Sequence, residues 1–545
     1  MSETAQQHAV LPDDQQLTAK LSSRWAFKPV HLGAASLFGI LFLYCNWMPL
    51  YPTDLWGHVL YGNWIVEQRR LPTEDPFVPL ARGIPIVDTA WLSQVILALV
   101  ERGGGADWLS HLYALTMLTT FLILAGASYL RTRSWGLSLI GIIASLGLSW
   151  GRLAFIRPEI FGVLCFAILL WLVALATPIR TKESTDRTTD RRQPGWFVWV
   201  SIPLLFVVWA NLHGTFAIGL VVLGCCSLGE SVDAVRRSRR MLAAVSSSEA
   251  RRWWILTALA VLSTLVNPYG VKLLIDTIKF SQNPNLQYVT EWFRLELVSF
   301  AGLQVALSWL ALMILLRHSR RRFTATDILL LAVFSCAVCL RVRFLNWYVC
   351  VAVFVLLPHL QSLLVRRAQQ QRFGPELGLH SPVPQLSFRY TLVSALVVWA
   401  CLGLSPLGVQ SLTGRSRPAR QLYNRNTPRG ISQYLREHPP QGLLFCPQSW
   451  GDWLLWDGPP GMRVFVTTNS LHVIKPRAWR DCLLVGDGAA DWEAVLARYQ
   501  VKHIAIAKSP QPDLIRPDLS RLVRESPRWT LVYEDGLGVV FCRKS

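Results

Sequence analysis

The chain has 545 residues, of which 52% are hydrophobic and only 16% charged, with a formal net charge of +20. A mean hydropathy of +0.32 excludes an ordinary soluble protein and leaves room for about ten membrane spans plus a soluble unit. The positive charge does not mark nucleic acid, because the arginines fall in short clusters between apolar runs, as cytoplasmic loops do.

Residues 1–30 are polar and read as a flexible cytoplasmic N-terminus, with no cleavable signal peptide evident. Apolar runs of spanning or near-spanning length follow at 31–50, 108–130, 135–151, 158–178, 196–211, 214–230, 253–267, 301–316, 325–340, 344–365 and 390–409. The run at 90–101 is shorter and suits an interfacial or re-entrant helix. Leaving it out of the count, with the N-terminus inside, puts Arg131, Arg133, the 180–192 loop, Arg236–Arg240, Arg251, Arg252, Arg317–Arg322, Arg366 and Arg367 on the cytoplasmic side. Counting it as a span puts all of them outside. The charge bias therefore selects about eleven spans, with the C-terminus outside. The expected fold is an α-helical polytopic membrane protein in a bacterial inner membrane. Its transmembrane unit covers 31–410, with an outer loop at 51–107.

Residues 411–545 change character and read as a small extracytoplasmic α/β domain after a Pro/Arg-rich linker near 411–430. Gly442–Cys446, Arg463–Thr468, Lys502–Lys508, Trp529–Glu534 and Gly538–Arg543 read as strands, and Asp491–Tyr499 and Leu519–Glu525 as helices. Most of the 11 cysteines lie in apolar runs, and Cys336-Ala-Val-Cys339 is read as packing there despite its redox-motif spacing. Cys446, Cys482 and Cys542 lie in the tail, where one pair has the opportunity to bridge.

The polar oddities cluster on the outer side. Tyr51-Pro-Thr-Asp-Leu-Trp-Gly-His58 leaves the first span and opens an interfacial helix anchored by Trp56 and Trp64. Asp54 and His58 are the catalytic candidates. Asp54 is either a helix cap or a general base, since an ionised carboxylate near a helix N-terminus accepts a proton from a hydroxyl. Asp75, before Pro76, is a turn former or a second acid. Asp88 caps the 90–101 helix or joins the same site.

Arg152, Arg157 and Glu159 border a span on the outer side, and Arg157 just before Pro158 marks an anion site at phosphate depth. Asn211 and His213 interrupt an apolar stretch and face either a cavity or a polar turn. Glu291 and Trp292 form a possible sugar-contacting pair, and Arg341 and Arg343 add cations on the same side. The sequence calls for no cofactor. A divalent metal is conceivable but nothing in the ligand spacing indicates one.

Thr53-Asp54-Leu-Trp-Gly-His58, the long first outer loop and Arg152…Arg157-Pro-Glu159 resemble the polytopic GT-C glycosyltransferases that use polyprenyl-phosphate sugars. A bacterial group within that fold is closer in pattern over residues 50–345. It carries Asp-Leu-Trp-Trp-His-like, Asp-Pro-Phe, Asn-Leu-His-Gly, Asn-Pro-Tyr-Gly and Glu-Trp stretches, all with counterparts here. The resemblance implies an inverting sugar transfer with Asp54 as base and arginines such as Arg157 on the leaving lipid phosphate. The implied partners are a polyprenyl-phosphate-linked sugar, an acceptor and membrane lipid, without nucleic acid. Two positions depart from the pattern: Gly57 replaces a Trp, and Thr89-Ala90-Trp91 replaces a His-Glu-Trp-like triplet. The lost Glu keeps open a non-catalytic scaffold, and a lipid or glycan transporter is the other competing reading.

Overall fold

Each of the eleven apolar runs is largely helical, the last in two pieces, and a helix is the form in which a single segment satisfies its own backbone polar groups away from water. The computed structural model describes residues 26–177, 195–372, 388–508 and 519–544. The expectations for residues 1–25 and for the 180–192 loop lie outside these.

Helix α1 is Pro29–Trp47, α2 is Asp54–Gln68 and α3 is Trp91–Gly104. Helices α4 (Ala106–Thr132), α5 (Trp135–Leu153), α6 (Glu159–Ala176), α7 (Trp196–Leu212), α8 (Phe216–Ser238) and α9 (Ser248–Ser263) follow. Then come α10 (Val271–Phe280), α11 (Phe300–His318), α12 (Ala325–Leu340), α13 (Leu345–Arg372), α14 (Phe388–Gly403) and α15 (Pro406–Thr413). Among the described residues, 7 helices are long and apolar enough to cross a bilayer, or up to 8 if the bent pair α14–α15 is one span. Helices α7 and α12 are apolar but shorter. The last run is not one straight helix. It bends by 77° where Ser405 caps α15 and Pro406 opens it.

The chain is thus a polytopic α-helical membrane protein. The expected interfacial run is α3, which packs along α2. Gly62 makes that contact possible, because a Cβ there would lie 2.0 Å from the Gln94 carbonyl oxygen. At the other end of the bundle Arg131 is not a solvated loop cation. It forms a buried ion pair with Asp327 at 3.2 Å.

The C-terminal part carries helices α16 (Arg429–Glu437), α17 (Gln448–Asp457), α18 (Pro476–Gly486), α19 (Trp492–Arg498) and α20 (Leu519–Glu525). Its strands are β1 (Leu443–Phe445), β2 (Arg463–Val464), β3 (Val501–Ala507), β4 (Trp529–Glu534) and β5 (Gly538–Arg543). They form one sheet in the order β2-β1-β3-β5-β4. Strand β1 runs parallel to β2 and β3, while β5 is antiparallel to β3 and β4, with Ile504 opposite Phe541. Cys446, Cys482 and Cys542 are free thiols.

This sheet unit does not hang from a loose linker. Leu50 donates its backbone N–H to Leu422 O at 2.7 Å and accepts from Asn424 at 2.8 Å. Arg417 Nε bonds Asp107 Oδ1 at 2.7 Å in a buried pair. Trp56, expected as a lipid anchor, is fully buried and sits 4.9 Å from Trp453 and 4.2 Å from Trp456, ring centre to ring centre. The apolar core therefore runs without a break from Phe38 in α1 to Val540 in β5.

Candidate active site

Thr53 caps α2 through its hydroxyl, which accepts from Leu55 N at 3.5 Å, so Asp54 is left as the first helical residue with its carboxylate uncommitted to capping. The bland alternative for Asp54 falls to its neighbour. His58, one turn on, shares the helix face of Asp54.

Three arginines converge on this end of α2. Arg157, in the connection before α6, brings Nε to 3.1 Å from Asp54 Oδ1. Arg152, at the end of α5, donates from Nη1 to Glu291 Oε2 at 2.6 Å and lies 3.7 Å from Glu159 Oε2. Arg343 pairs with Glu291 Oε1, and Arg157 Nη1 stands 3.7 Å from Glu291 Oε2. Burial works against the Glu291 charge, but Arg343, Arg152 and Arg157 together hold its carboxyl down to about 2. Asp54, Arg157, Arg343 and Glu291 keep 24%, 30%, 24% and 17% of their side-chain surface, so the cluster opens onto solvent-accessible space.

Histidines line the same space. His213 follows α7, with Nδ1 3.1 Å from Thr215 Oγ1, and burial lowers it to about 4 despite the attraction of Glu159. Burial also lowers His58, against the pull of Asp54. The His58 Nδ1 accepts from the Gln94 amide at 3.3 Å, and that amide also reaches Asp88 Oδ1 at 3.1 Å. Asp88 Oδ1 also accepts from Ala90 N at 3.0 Å in the turn ahead of α3, whose N-cap is Ala90 and carries no side-chain cap, and burial pushes the Asp88 carboxyl up to about 6.

The C-terminal unit supplies two groups that sequence reasoning did not single out. His472 keeps an exposed ring 4.6 Å from Phe280, yet the surrounding protein lowers it to about 4, with Arg343 and His58 adding to the shift. Asp452 on α17 is buried against α2: a Cβ on Gly57 would fall 2.1 Å from Asp452 Oδ1. Its other oxygen accepts from Thr468 N at 2.9 Å. Burial pushes this carboxyl up to about 7, and Asp54 and Asp75 push it the same way. The space that Gly57 leaves open is thus filled by a carboxylate from far along the chain.

Several candidates do other work. Arg341 turns back onto Leu340 O at 2.9 Å and makes no ion pair with the cluster among the described residues. Asn211 is saturated: it accepts from Trp91 Nε1 at 3.0 Å and donates to Val207 O and Val266 O at 2.8 and 2.9 Å. Asp75 forms a turn, accepting from Phe77 N and Val78 N at 2.8 and 3.0 Å. Trp292 is buried beneath Arg343, whose guanidinium lies 5.3 Å from its ring, so it supports a cation instead of offering a face to sugar. Glu291 engages arginines, not an open pyranose shelf. Among the described residues, no group of three or more His, Cys, Asp or Glu is placed to hold a metal ion.

The sequence matches no family model and no curated protein. The fold does match solved structures. Over 88% of this chain and 69% of the other, it superposes on the oligosaccharyltransferase of Archaeoglobus fulgidus tethered to an acceptor peptide, with a TM-score of 0.52 at 11% identity. Over 96% of this chain and 98% of the other, it superposes on ArnT from Cupriavidus metallidurans bound to undecaprenyl phosphate, with a TM-score of 0.51 at 13% identity. Both are polytopic membrane glycosyltransferases of the GT-C fold. This chain has the GT-C fold, with a small C-terminal α/β sheet unit packed onto α2.

Proposed function

We propose that the protein moves a sugar from a polyprenyl-phosphate donor to an acceptor hydroxyl at the outer face of a bacterial inner membrane. The observation that carries this reading is the contact between Asp54 and Arg157 inside a solvent-open arginine cluster. Arg152, Arg157 and Arg343 take the donor phosphate. Once phosphate claims Arg157, Asp54 loses its ionic partner and is left facing the acceptor.

The acceptor hydroxyl gives its proton to Asp54 and attacks the anomeric carbon from the face opposite the phosphate, which inverts that centre. The arginines meet the charge growing on the departing phosphate oxygen. His58 and His213, neutral through burial, orient sugar or acceptor hydroxyls by hydrogen bonding. The reading calls on no cofactor. The undecaprenyl phosphate and acceptor peptide named for the two neighbours support a lipid-linked donor and a separate acceptor as classes. The arginine distribution supports an N-terminus inside and a C-terminal domain outside.

Asp54→Asn tests the reading. In cells, with lipid-linked sugars and surface glycans compared by mass spectrometry, the donor accumulates and one glycan species is lost. An unchanged profile at normal protein levels overturns it.

A further inference from the structure

The arginine cluster is already electrically balanced. Arg152, Arg157 and Arg343 face Asp54, Glu159 and Glu291, so three formal positive charges meet three negative ones. The neighbouring His213, lowered to about 4 by burial, adds no charge at neutral pH. Glu291 is the one carboxylate shared by all three arginines. Its two oxygens lie among guanidinium forks, where a phosphate's oxygens would also be held. It belongs to a short 3₁₀ turn, Thr290–Trp292, in a connection between helices, not to a spanning helix. Meanwhile buried donors remain unfilled: Arg152 Nε and Arg157 Nε have no hydrogen-bond partner.

Resting on the function proposed above, we propose that Glu291 is an internal counter-ion that stands in the arginine cluster in place of a phosphate and yields to the more highly charged polyprenyl phosphate that sugar transfer leaves behind. The donor phosphodiester carries one negative charge. When the bond from the anomeric carbon to the phosphate oxygen breaks, its electron pair stays on that oxygen. The acceptor oxygen forms the new bond to carbon and its proton passes to Asp54. The phosphate becomes a monoester of charge about −1.5 to −2 at neutral pH. A cluster held neutral in part by Glu291 gains positive charge when Asp54 takes the proton, and gains more as the Glu291 carboxylate withdraws. The attraction therefore grows with the leaving group's charge, which favours the transition state over the bound donor.

Glu291→Gln keeps the shape and removes the charge. With the purified full chain in detergent, a short-chain polyprenyl monophosphate serves as the probe. The variant is expected to bind it about tenfold tighter than wild type, a change of roughly 1.4 kcal/mol. Unchanged or weaker binding overturns the proposal, and weaker binding makes Glu291 a mere spacer for the arginines. Wild-type protein gives a second readout that does not depend on the variant folding. The monophosphate must outbind its methyl diester, which carries the donor's single charge, and equal affinity overturns the proposal. If neither protein transfers sugar but the variant still binds the monophosphate tighter, the counter-ion role stands and the transferase reading falls. If wild type transfers sugar and the variant binds no tighter, the reverse holds.

Discussion

Asp54 Oδ1 and Arg157 Nε lie 3.1 Å apart, yet neither atom has a hydrogen-bond partner. The charges attract across a contact whose directional bonding capacity is unused. Both atoms are buried, while the two side chains keep 24% and 30% of their surface.

Arg157→Lys keeps the charge but loses the planar fork that can serve a carboxylate and a phosphate at once. Transfer by the purified protein should fall by about 10²-fold in kcat/KM. Arg157→Ala should be no milder. A lysine variant with wild-type kinetics would remove Arg157 from phosphate binding.

Two arginines close in sequence should behave differently. Arg343 grips Glu291 over Trp292, whereas Arg341, among the described residues, turns its guanidinium back onto Leu340 O. Arg343→Ala should cost transfer roughly tenfold or more, and Arg341→Ala should leave it within about twofold, on the same assay. Equal losses would contradict the geometry.

Asp452 ties stability to pH. Burial raises its carboxyl from 3.8 to about 7, so the folded protein holds that proton more tightly than the unfolded chain. The stabilising contribution is complete below about pH 4 and is lost as pH rises through 7, by at most on the order of 4 kcal/mol. Asp88 titrates in the same direction, while the lowered histidines act oppositely, so the comparison must be between proteins. Asp452→Asn mimics the protonated acid. It should lose part of the wild-type melting-temperature decline between pH 5 and pH 8. Parallel profiles for the two proteins would show that Asp452 does not take up the proton.

Gly57 leaves space that Asp452 fills. In Gly57→Ala the new methyl would stand 2.1 Å from Asp452 Oδ1, so the carboxylate must shift against its bond from Thr468 N and the packing of the C-terminal unit on α2 loosens. Overpacking of this kind costs about 1–3 kcal/mol. The expected sign is faster proteolytic cleavage in the 411–430 segment and weaker transfer. Trp56→Ala should loosen the same joint by about 3–5 kcal/mol, because it empties the aromatic pocket formed with Trp453 and Trp456.

All eleven apolar runs and all five strands are legible in the sequence, since hydrophobic length and β-branched alternation are local properties. So is the start of α2 near Asp54, although the cap is Thr53 and not Asp54. The helices α16, α17 and α18 were not read from it. Their apolar faces are short, and packing against the sheet and α2 decides them.

The candidate site was legible only as a list of polar residues in an apolar background. That list held Asp54, Arg152, Arg157, Glu291 and Arg343, which meet. It also held Arg341, Asn211 and Asp75, whose bonding is local or structural. No local pattern separates the two groups, because a guanidinium at a span end looks the same whether it faces solvent, a carbonyl or a carboxylate.

The chain by itself determined a membrane protein with a short list of polar residues standing out from apolar runs, because burial in lipid tolerates few charges. Tertiary structure alone decided which of them touch, and that Asp452 and His472 join them from the far end of the chain. Those contacts depend on docking a sheet unit against α2 through Trp56 and Gly57. Such a fit between distant surfaces has no signature in either stretch taken alone.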